Sequence, residues 1–218
     1  MDRVNEHLDH DWFGGSVPRN TRFGVNVHIE TSYAFASFFS QEDPALTMEE
    51  GSGAYGLTSF NTGPRGRIEV GAYTCLSSTA LCCESRISLG AHCLVAWGAV
   101  ISDIAVPDPK EIEQRRRALM ETAVDTARRI RPMGGTFPVV IEDSVWIGFG
   151  SVIGAGVRVG RGSVVGCKTL ILGDVPPYTV MSGNPARIIC RLDPDDTPER
   201  REQILRQFGL PVAAGRKS

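Results

Sequence analysis

The chain has 218 residues, a formal net charge of -2, and 42% hydrophobic and 7% aromatic residues, with 24 glycines. That length suits one sizeable core and leaves no room for a second independent domain. No sustained basic stripe with interleaved aromatics marks a nucleic-acid binder, and no uninterrupted apolar run approaches a membrane span. The opening "MDRVNEHLDHDWFGG" is acidic and polar where a signal peptide would be basic and then apolar. The expected compartment is the cytoplasm. The six cysteines (Cys75, Cys82, Cys83, Cys93, Cys167 and Cys190) lack metal-finger spacing and read as reduced core thiols.

Along the chain, apolar residues recur at six-residue steps. Val17, Phe23, Ile29 and Phe35 fit by spacing; Met48, Ala54 and Phe60 follow, with the small companions Ser52 and Thr58 two places before the later members. Val70, Thr74 and Leu76 continue the phase, and "LGAHCLVAWGAVI" supplies Leu89, Val95 and Ile101 with Cys93 and Ala99. A helix repeats its face at about 3.6 residues and a strand at 2, so a period of six needs another unit: a very short strand and a corner, repeated.

Between Ile101 and Val139 the repeat lapses. Asp108 followed by Pro109 is a helix start and Gly134 with Gly135 a stop, so a helix is expected over about residues 109–129, on a loop that leaves the repeat and rejoins it. Arg115 to Arg117, with Arg128, Arg129 and Arg131, form a basic segment on it. Such a run is either a solvated helix face balanced by nearby Glu residues or an attraction for an anionic ligand.

The clearest stretch is "VVIEDSVWIGFGSVIGAGVRVGRGSVVG". From Ile141 it places Ile147, Ile153, Val159, Val165 and Ile171 at six-residue steps, with Val145, Ser151, Val157, Ser163 and Thr169 as companions. Gly148, Gly154, Gly160 and Gly166 follow four of these positions, where a chain turns with positive φ or passes close to another backbone. Strands this short cannot bury a face alone, so successive units must stack over one interior. At roughly 1.5–3 kcal/mol per buried aliphatic side chain, the six inward residues contribute on the order of 10 kcal/mol gross. Beyond the repeat, Thr197 and Pro198 open a short helix that Gly209 closes, covering the strand edges at the end of the stack.

These hexads, the "VWIG" at Val145 to Gly148 and the "DVPPYTVMSGNPARII" at Asp174 to Ile189 resemble the hexapeptide-repeat acyltransferases, the group of serine, maltose and polysaccharide-sugar O-acetyltransferases. The likeness is dense from Ile68 to Leu192. It implies an all-β fold, a left-handed parallel β-helix over residues 1–192 with an excursion over 102–138 and a helical extension over 193–218. It further implies a homotrimer that binds acetyl-CoA between subunits and acylates a sugar or nucleotide-sugar, in surface polysaccharide biosynthesis. By that analogy Trp146 and Gly148 line the pantetheine path, Gly166 allows close backbone approach, and Lys168 or Arg187 holds phosphates; cations suit those oxygens. For each, a plain structural role as interface filler, corner or solvated charge stands beside the functional one.

The catalytic pattern departs from the family's. A histidine is expected after "AVISD" in an arrangement resembling D-x-D-x-H, yet this chain reads "SDIAVPDP", with Pro107 at the histidine's place, and the excursion contains none. Asp103 matches the first acidic residue of the pattern. Of the four histidines, His7, His10, His28 and His92, His92 lies nearest the expected site and can act as a general base. Three readings stay open: an amine acceptor that attacks without a base, a base from elsewhere including a neighbouring subunit, or a non-catalytic trimeric scaffold or binding module. No metal is expected. The zinc-dependent carbonic anhydrases of the same fold need three converging histidines, the "HLDH" at His7 to His10 is a weak cue, and the sugar-nucleotide pyrophosphorylases carry a leading domain absent here.

Overall fold

The computed structural model describes residues 8–9, 11–105, 112–124, 135–194, 200, 203 and 206–207. Its strands are mostly two to four residues long and stack into three parallel walls. Wall A has six strands: Thr21–Phe23, Leu46–Met48, Arg67–Val70, Arg86–Leu89, Val139–Ile141 and Arg158–Val159. Wall B has eight: His28–Ile29, Gly53–Tyr55, Cys75–Ser77, Leu94–Val95, Trp146–Ile147, Val164–Val165, Thr179–Gly183 and Ala186–Arg191. Wall C has five: Ser59–Thr62, Ala80–Cys83, Val100–Ser102, Val152–Ile153 and Leu170–Ile171. The chain visits A, B and C in turn, so each circuit is one coil of a left-handed parallel β-helix.

The six-residue register is the column of inward side chains. Ile141, Ile147, Ile153, Val159, Val165 and Ile171 are each at most 1% exposed, and Val145, Ser151, Val157, Ser163 and Thr169 are buried beside them. Met48, Ala54 and Phe60 and Leu89, Val95 and Ile101 are likewise buried. At the N-terminal end Val17 and Phe35 are buried while Phe23 and Ile29 are only partly so, and Phe35 belongs to a 3-10 turn, Ser32–Phe35, that closes the stack. Buried hydroxyls are satisfied within the stack: Ser151 donates to the Gly166 carbonyl (2.7 Å) and Ser163 to that of Pro176 (2.8 Å).

Glycine serves two purposes in two different places. The left-handed corner residues are Gly150 and Gly162, with φ of 66° and 65°, two positions after Gly148 and Gly160. Gly148 and Gly160 themselves are required because the next coil passes directly over them: a Cβ at Gly148 would lie 2.7 Å from the Cys167 nitrogen, and one at Gly160 2.4 Å from that of Pro177. Close approach, not turning, explains the glycines at those hexad positions. Among the cysteines, none is in a disulfide; Cys83 and Cys93 are buried core thiols, whereas Cys167 and Cys190 are exposed, which corrects the reading of all six as core residues.

The excursion leaves wall C after Ser102 and returns to wall A at Val139 through a narrow neck. Ile104 bridges Thr136 in antiparallel fashion, Ala105 donates its N–H to the Gly135 carbonyl (2.8 Å) and Phe137 to that of Asp103 (2.8 Å). It carries a helix, Ile112–Val124, with no buried residue. The rest of the expected 109–129 helix, and the Thr197, Pro198 and Gly209 boundaries of the C-terminal one, lie outside the described residues; residues 200, 203, 206 and 207 are helical. The final strand pair, Thr179–Gly183 with Ala186–Arg191, is antiparallel and ends wall B.

The N-terminal clasp depends on one carboxylate. Asp11 accepts hydrogen bonds from the Thr31 hydroxyl (2.7 Å), the Ser32 N–H (3.0 Å), the Ser32 hydroxyl, and the N–H groups of Phe13 (3.2 Å) and Gly14 (3.1 Å). Partial burial opposes its charge, but these donors outweigh it and hold its pKa well below the usual carboxylate range.

A group whose folded pKa is depressed contributes stability above its unfolded value, about 3.9, and loses it as pH falls toward the folded one. The amide resonances of Ser32 and Gly14 report the folded carboxylate and are therefore expected to stay constant through the range near about pH 4 in which an ordinary aspartate titrates, and Asp11→Asn should displace both. In the core, Ile153→Ala is expected to cost about 2–5 kcal/mol in a denaturant titration.

Candidate active site

Wall B presents an unusually apolar outer face. Cys75, Leu94, Trp146 and Val164 are stacked in register on successive coils, and Leu94 and Trp146 are 45% and 51% exposed. At the corner beyond, Trp97 (71%) and Phe149 (51%) extend the surface, and Ser77, Leu94, Ala96, Trp97 and Phe149 enclose a cavity of about 410 Å³. Sequence reasoning singled out Trp146 alone. Its partners were legible only as aromatic and aliphatic residues at outward positions of the repeat, where a solvated wall would carry polar ones.

Next to this face lies a row of small residues. Gly148, Gly166 and Ser182 succeed one another across three coils, since Gly148 donates its N–H to the Val165 carbonyl and Gly166 to that of Met181, both at 2.8 Å. Ser182 in turn pairs with Arg187 across the terminal hairpin. A Cβ at Gly148 would lie 2.7 Å from the Cys167 nitrogen and one at Gly166 2.7 Å from the Ser182 Oγ, so the row is where successive coils close tightly on one another. Lys168 stands at the corner just past Gly166 in a left-handed conformation (φ 54°), where its N–H donates to the Phe149 carbonyl (2.9 Å). Neither Lys168 nor Arg187 is in an ion pair among the described residues. The structure thus gathers Trp146, Gly148, Gly166, Lys168 and Arg187 on one wall and its rim, an apolar strip ending in two available cations.

His92 and Asp103 occupy two other places. His92 is exposed at the corner where wall A turns into wall B. Asp103 lies at the corner between walls C and A, at the root of the excursion, and is fully buried. Its Oδ1 accepts the Glu84 N–H (2.8 Å) and its Oδ2 those of Ser85 (2.6 Å) and Arg86 (2.9 Å), with the Cys83 thiol donating at 3.7 Å. Burial pushes its pKa up, and the backbone donors only partly offset that. With every oxygen so engaged, Asp103 ties the neck of the excursion to the preceding coil and does not face a substrate hydroxyl. His7 and His10 lie outside the described residues, His28 stacks on Tyr55 at 5.1 Å, and no group of three metal-ligating side chains occurs among the described residues.

Wall A carries a polar groove of about 560 Å³ on the other side of the His92 corner. Thr47, Glu69, Ser88 and Val140 form its middle and Glu49, Gly71, Gly90, Ala91 and Asp143 the end nearest His92. Its depth comes from Gly71 and Gly90, where an added Cβ would strike the next coil at 2.5 and 2.4 Å. Hydroxyls, carboxylates and open backbone are what a polyhydroxylated or amine-bearing ligand can bond.

Residues 138–173 match the family model described as bacterial transferase hexapeptide, six repeats. The repeat is that of the hexapeptide-repeat transferases, and the fold is their left-handed β-helix. Among individual relatives, the chain is 50% identical over 73 residues to the 2,3,4,5-tetrahydropyridine-2,6-dicarboxylate N-acetyltransferase of Brevibacillus brevis, covering 33% of this chain and 30% of that protein. It is 42% identical over 66 residues to a chloramphenicol acetyltransferase of Agrobacterium fabrum, 30% of each chain. The match therefore spans about a third of these relatives' length. Among solved structures, a hexapeptide-repeat acetyltransferase from Vibrio cholerae complexed with acetyl-CoA aligns over 66% of this chain and 69% of that one, at 29% identity and a TM-score of 0.53. A point mutant of AntD, an N-acyltransferase from Bacillus cereus, in complex with dTDP and CoA, aligns over 86% and 90% at 18% identity with a TM-score of 0.59, a likeness of fold.

In an Asp103→Asn variant the amide nitrogen would confront backbone N–H groups that need an acceptor, leaving buried donors unpaired. A loss of about 1–3 kcal/mol is expected, with faster hydrogen exchange at the Ala105 and Phe137 amides that close the neck.

Proposed function

We propose that the protein is an acyl-CoA-dependent acyltransferase, most simply an acetyltransferase, acting on a hydroxyl or amine of a sugar or nucleotide-sugar. The observation that carries this reading is the juxtaposition on wall B of an exposed aromatic strip, a row of small residues and two cations that form no ion pair among the described residues. Coenzyme A is long and thin, with amides set between the methylene segments of its pantetheine and phosphates beyond it. Trp146 would pack on the pantetheine, Gly148 and Gly166 would let it lie against backbone N–H and C=O groups, and Lys168 and Arg187 would hold phosphate oxygens. The acetyl-CoA complex of the Vibrio cholerae structure supports the same ligand class.

Leu94, Trp97, Trp146 and Phe149 are all exposed on one side of the molecule, and clustered apolar exposure marks an interaction surface. We read this as the face on which copies associate, as a homotrimer, with the donor in the cleft between them. The acceptor would enter through the polar groove of wall A, where Thr47, Ser88 and the carboxylates of Glu49 and Glu69 can bond sugar hydroxyls. His92, on the ridge between the two surfaces, is then the candidate to take the acceptor's proton. Asp103 is a structural anchor in this reading.

A non-catalytic scaffold is the alternative favoured by the missing excursion histidine and the engagement of Asp103. Thiol release from acetyl-CoA across a panel of sugars and amino-sugars decides between them: release with at least one acceptor is expected, and none with any acceptor, together with no CoA binding by calorimetry, contradicts the enzyme. Trp146→Ala is expected to weaken CoA binding about tenfold, the loss of roughly 1.4 kcal/mol of buried contact.

A further inference from the structure

The corner between walls A and B repeats on every coil, and the residue at its apex is held in the left-handed region. Asn26, Gly51, Tyr73, His92, Ser144, Gly162 and Tyr178 occupy it in succession. The backbone links them coil to coil: Tyr73 donates its N–H to the Glu50 carbonyl, His92 to that of Ala72 and Ser144 to that of Ala91, all at 2.8 Å. An apex side chain in this conformation projects outward and folds back over the preceding coil.

Tyr73 folds over Gly51 so closely that a Cβ there would lie 2.6 Å from Tyr73 Cδ1 and 2.7 Å from Cε1. The glycine is thus a seat for the ring. Glu50 lies beside the Tyr73 side chain and raises the tyrosine's own pKa. His92, one coil on, lies on the outer face of that ring, with centroids 5.4 Å apart and planes only 10° from parallel. On the following coil the apex is Ser144, too small to cover the imidazole. An exposed histidine would ordinarily sample several rotamers; this one has a flat surface, itself seated on Gly51, that selects one.

The place where this happens separates the two surfaces already described. Gly90, Ala91 and Asp143 of the polar groove precede and flank His92, and Leu94 of the apolar strip follows it. We propose that Tyr73, seated on Gly51, is a positioning residue that holds His92 in the orientation from which its imidazole takes the acceptor's proton. This inference rests on the acyltransferase reading above. In the step it serves, the acceptor oxygen or nitrogen forms a bond to the thioester carbonyl carbon and the carbon–sulfur bond breaks. His92 receives the proton that the acceptor loses and returns it to the departing CoA sulfur. No further reactant is required.

The test compares kcat and KM for wild type, His92→Ala, Tyr73→Phe, Tyr73→Ala and the Tyr73→Ala/His92→Ala double variant, with melting temperature and CoA affinity as controls on folding. His92→Ala should lower kcat by about 10²-fold or more. Tyr73→Ala should lower kcat by about tenfold or more with KM for both substrates nearly unchanged. Tyr73→Phe, which keeps the ring, should stay within about threefold of wild type, since the stacking surface is retained. The double variant should be no slower than His92→Ala, because Tyr73 acts only through the histidine. In the NMR spectrum, the His92 ring protons, shielded by the stacked tyrosine, should move downfield in Tyr73→Ala and not in Tyr73→Phe. Wild-type transfer with full kcat in His92→Ala or in Tyr73→Ala would overturn the positioning role and leave the acyltransferase reading standing. An absence of transfer by the wild type would overturn both.

Discussion

Every feature of this molecule depends on one constraint: two-residue strands can bury their inward side chains only if the next coil covers them at once. Ile147 and Ile153 are fully buried because Val95 and Ile101 lie before them and Val165 and Ile171 after. The requirement fixes the six-residue step, calls for glycine where the next coil passes closest, as at Gly148 and Gly160, and leaves the outward residues free for other purposes. The inward set is apolar or small throughout, whereas the outer faces diverge into an apolar strip on wall B and a groove with hydroxyls and carboxylates on wall A.

That inequality turns a stack of short strands into a surface that can bring two substrates together. A β-helix wall presents backbone groups at regular spacing along a straight line, so a ligand of matching length can be held by many weak contacts. Trp146 and the row of Gly148, Gly166 and Ser182 share such a wall, with Lys168 and Arg187 at its rim. The groove of wall A runs on the other side of a single corner, and the corner residue beside it is His92. The excursion, by contrast, is attached through a narrow neck anchored by Asp103, and its helix contributes no buried residue to the core.

Much of the fold was legible from the inward positions, because a buried slot between coils accepts little besides Ile, Val, Leu or a small companion. Val17, Phe23, Ile29 and Phe35 follow the spacing too, but their bulk reflects a capped end, where a turn over Ser32–Phe35 replaces a strand. The glycines were legible as special, with turning and close approach both open: Gly148 and Gly160 serve close approach, and the turning falls to Gly150 and Gly162. The site was harder. Leu94 and Trp146 are neighbours only because the excursion between them returns to the same stack, and no local pattern records that adjacency. Asp103 matched an acidic position of the family pattern, yet its partners are backbone N–H groups of Glu84, Ser85 and Arg86, which leave no trace in residue identity. The Tyr73 and His92 stack was hidden for the same reason, since the two residues meet across a coil and not within one.

The most direct measurement of the account is a crystal structure of the protein grown with CoA. The account predicts the pantetheine along wall B against Trp146, Gly148 and Gly166, phosphates within reach of Lys168 or Arg187, and the thiol end directed toward the His92 corner. CoA bound on another wall, or a crystal at saturating CoA in which wall B is bare, would contradict it.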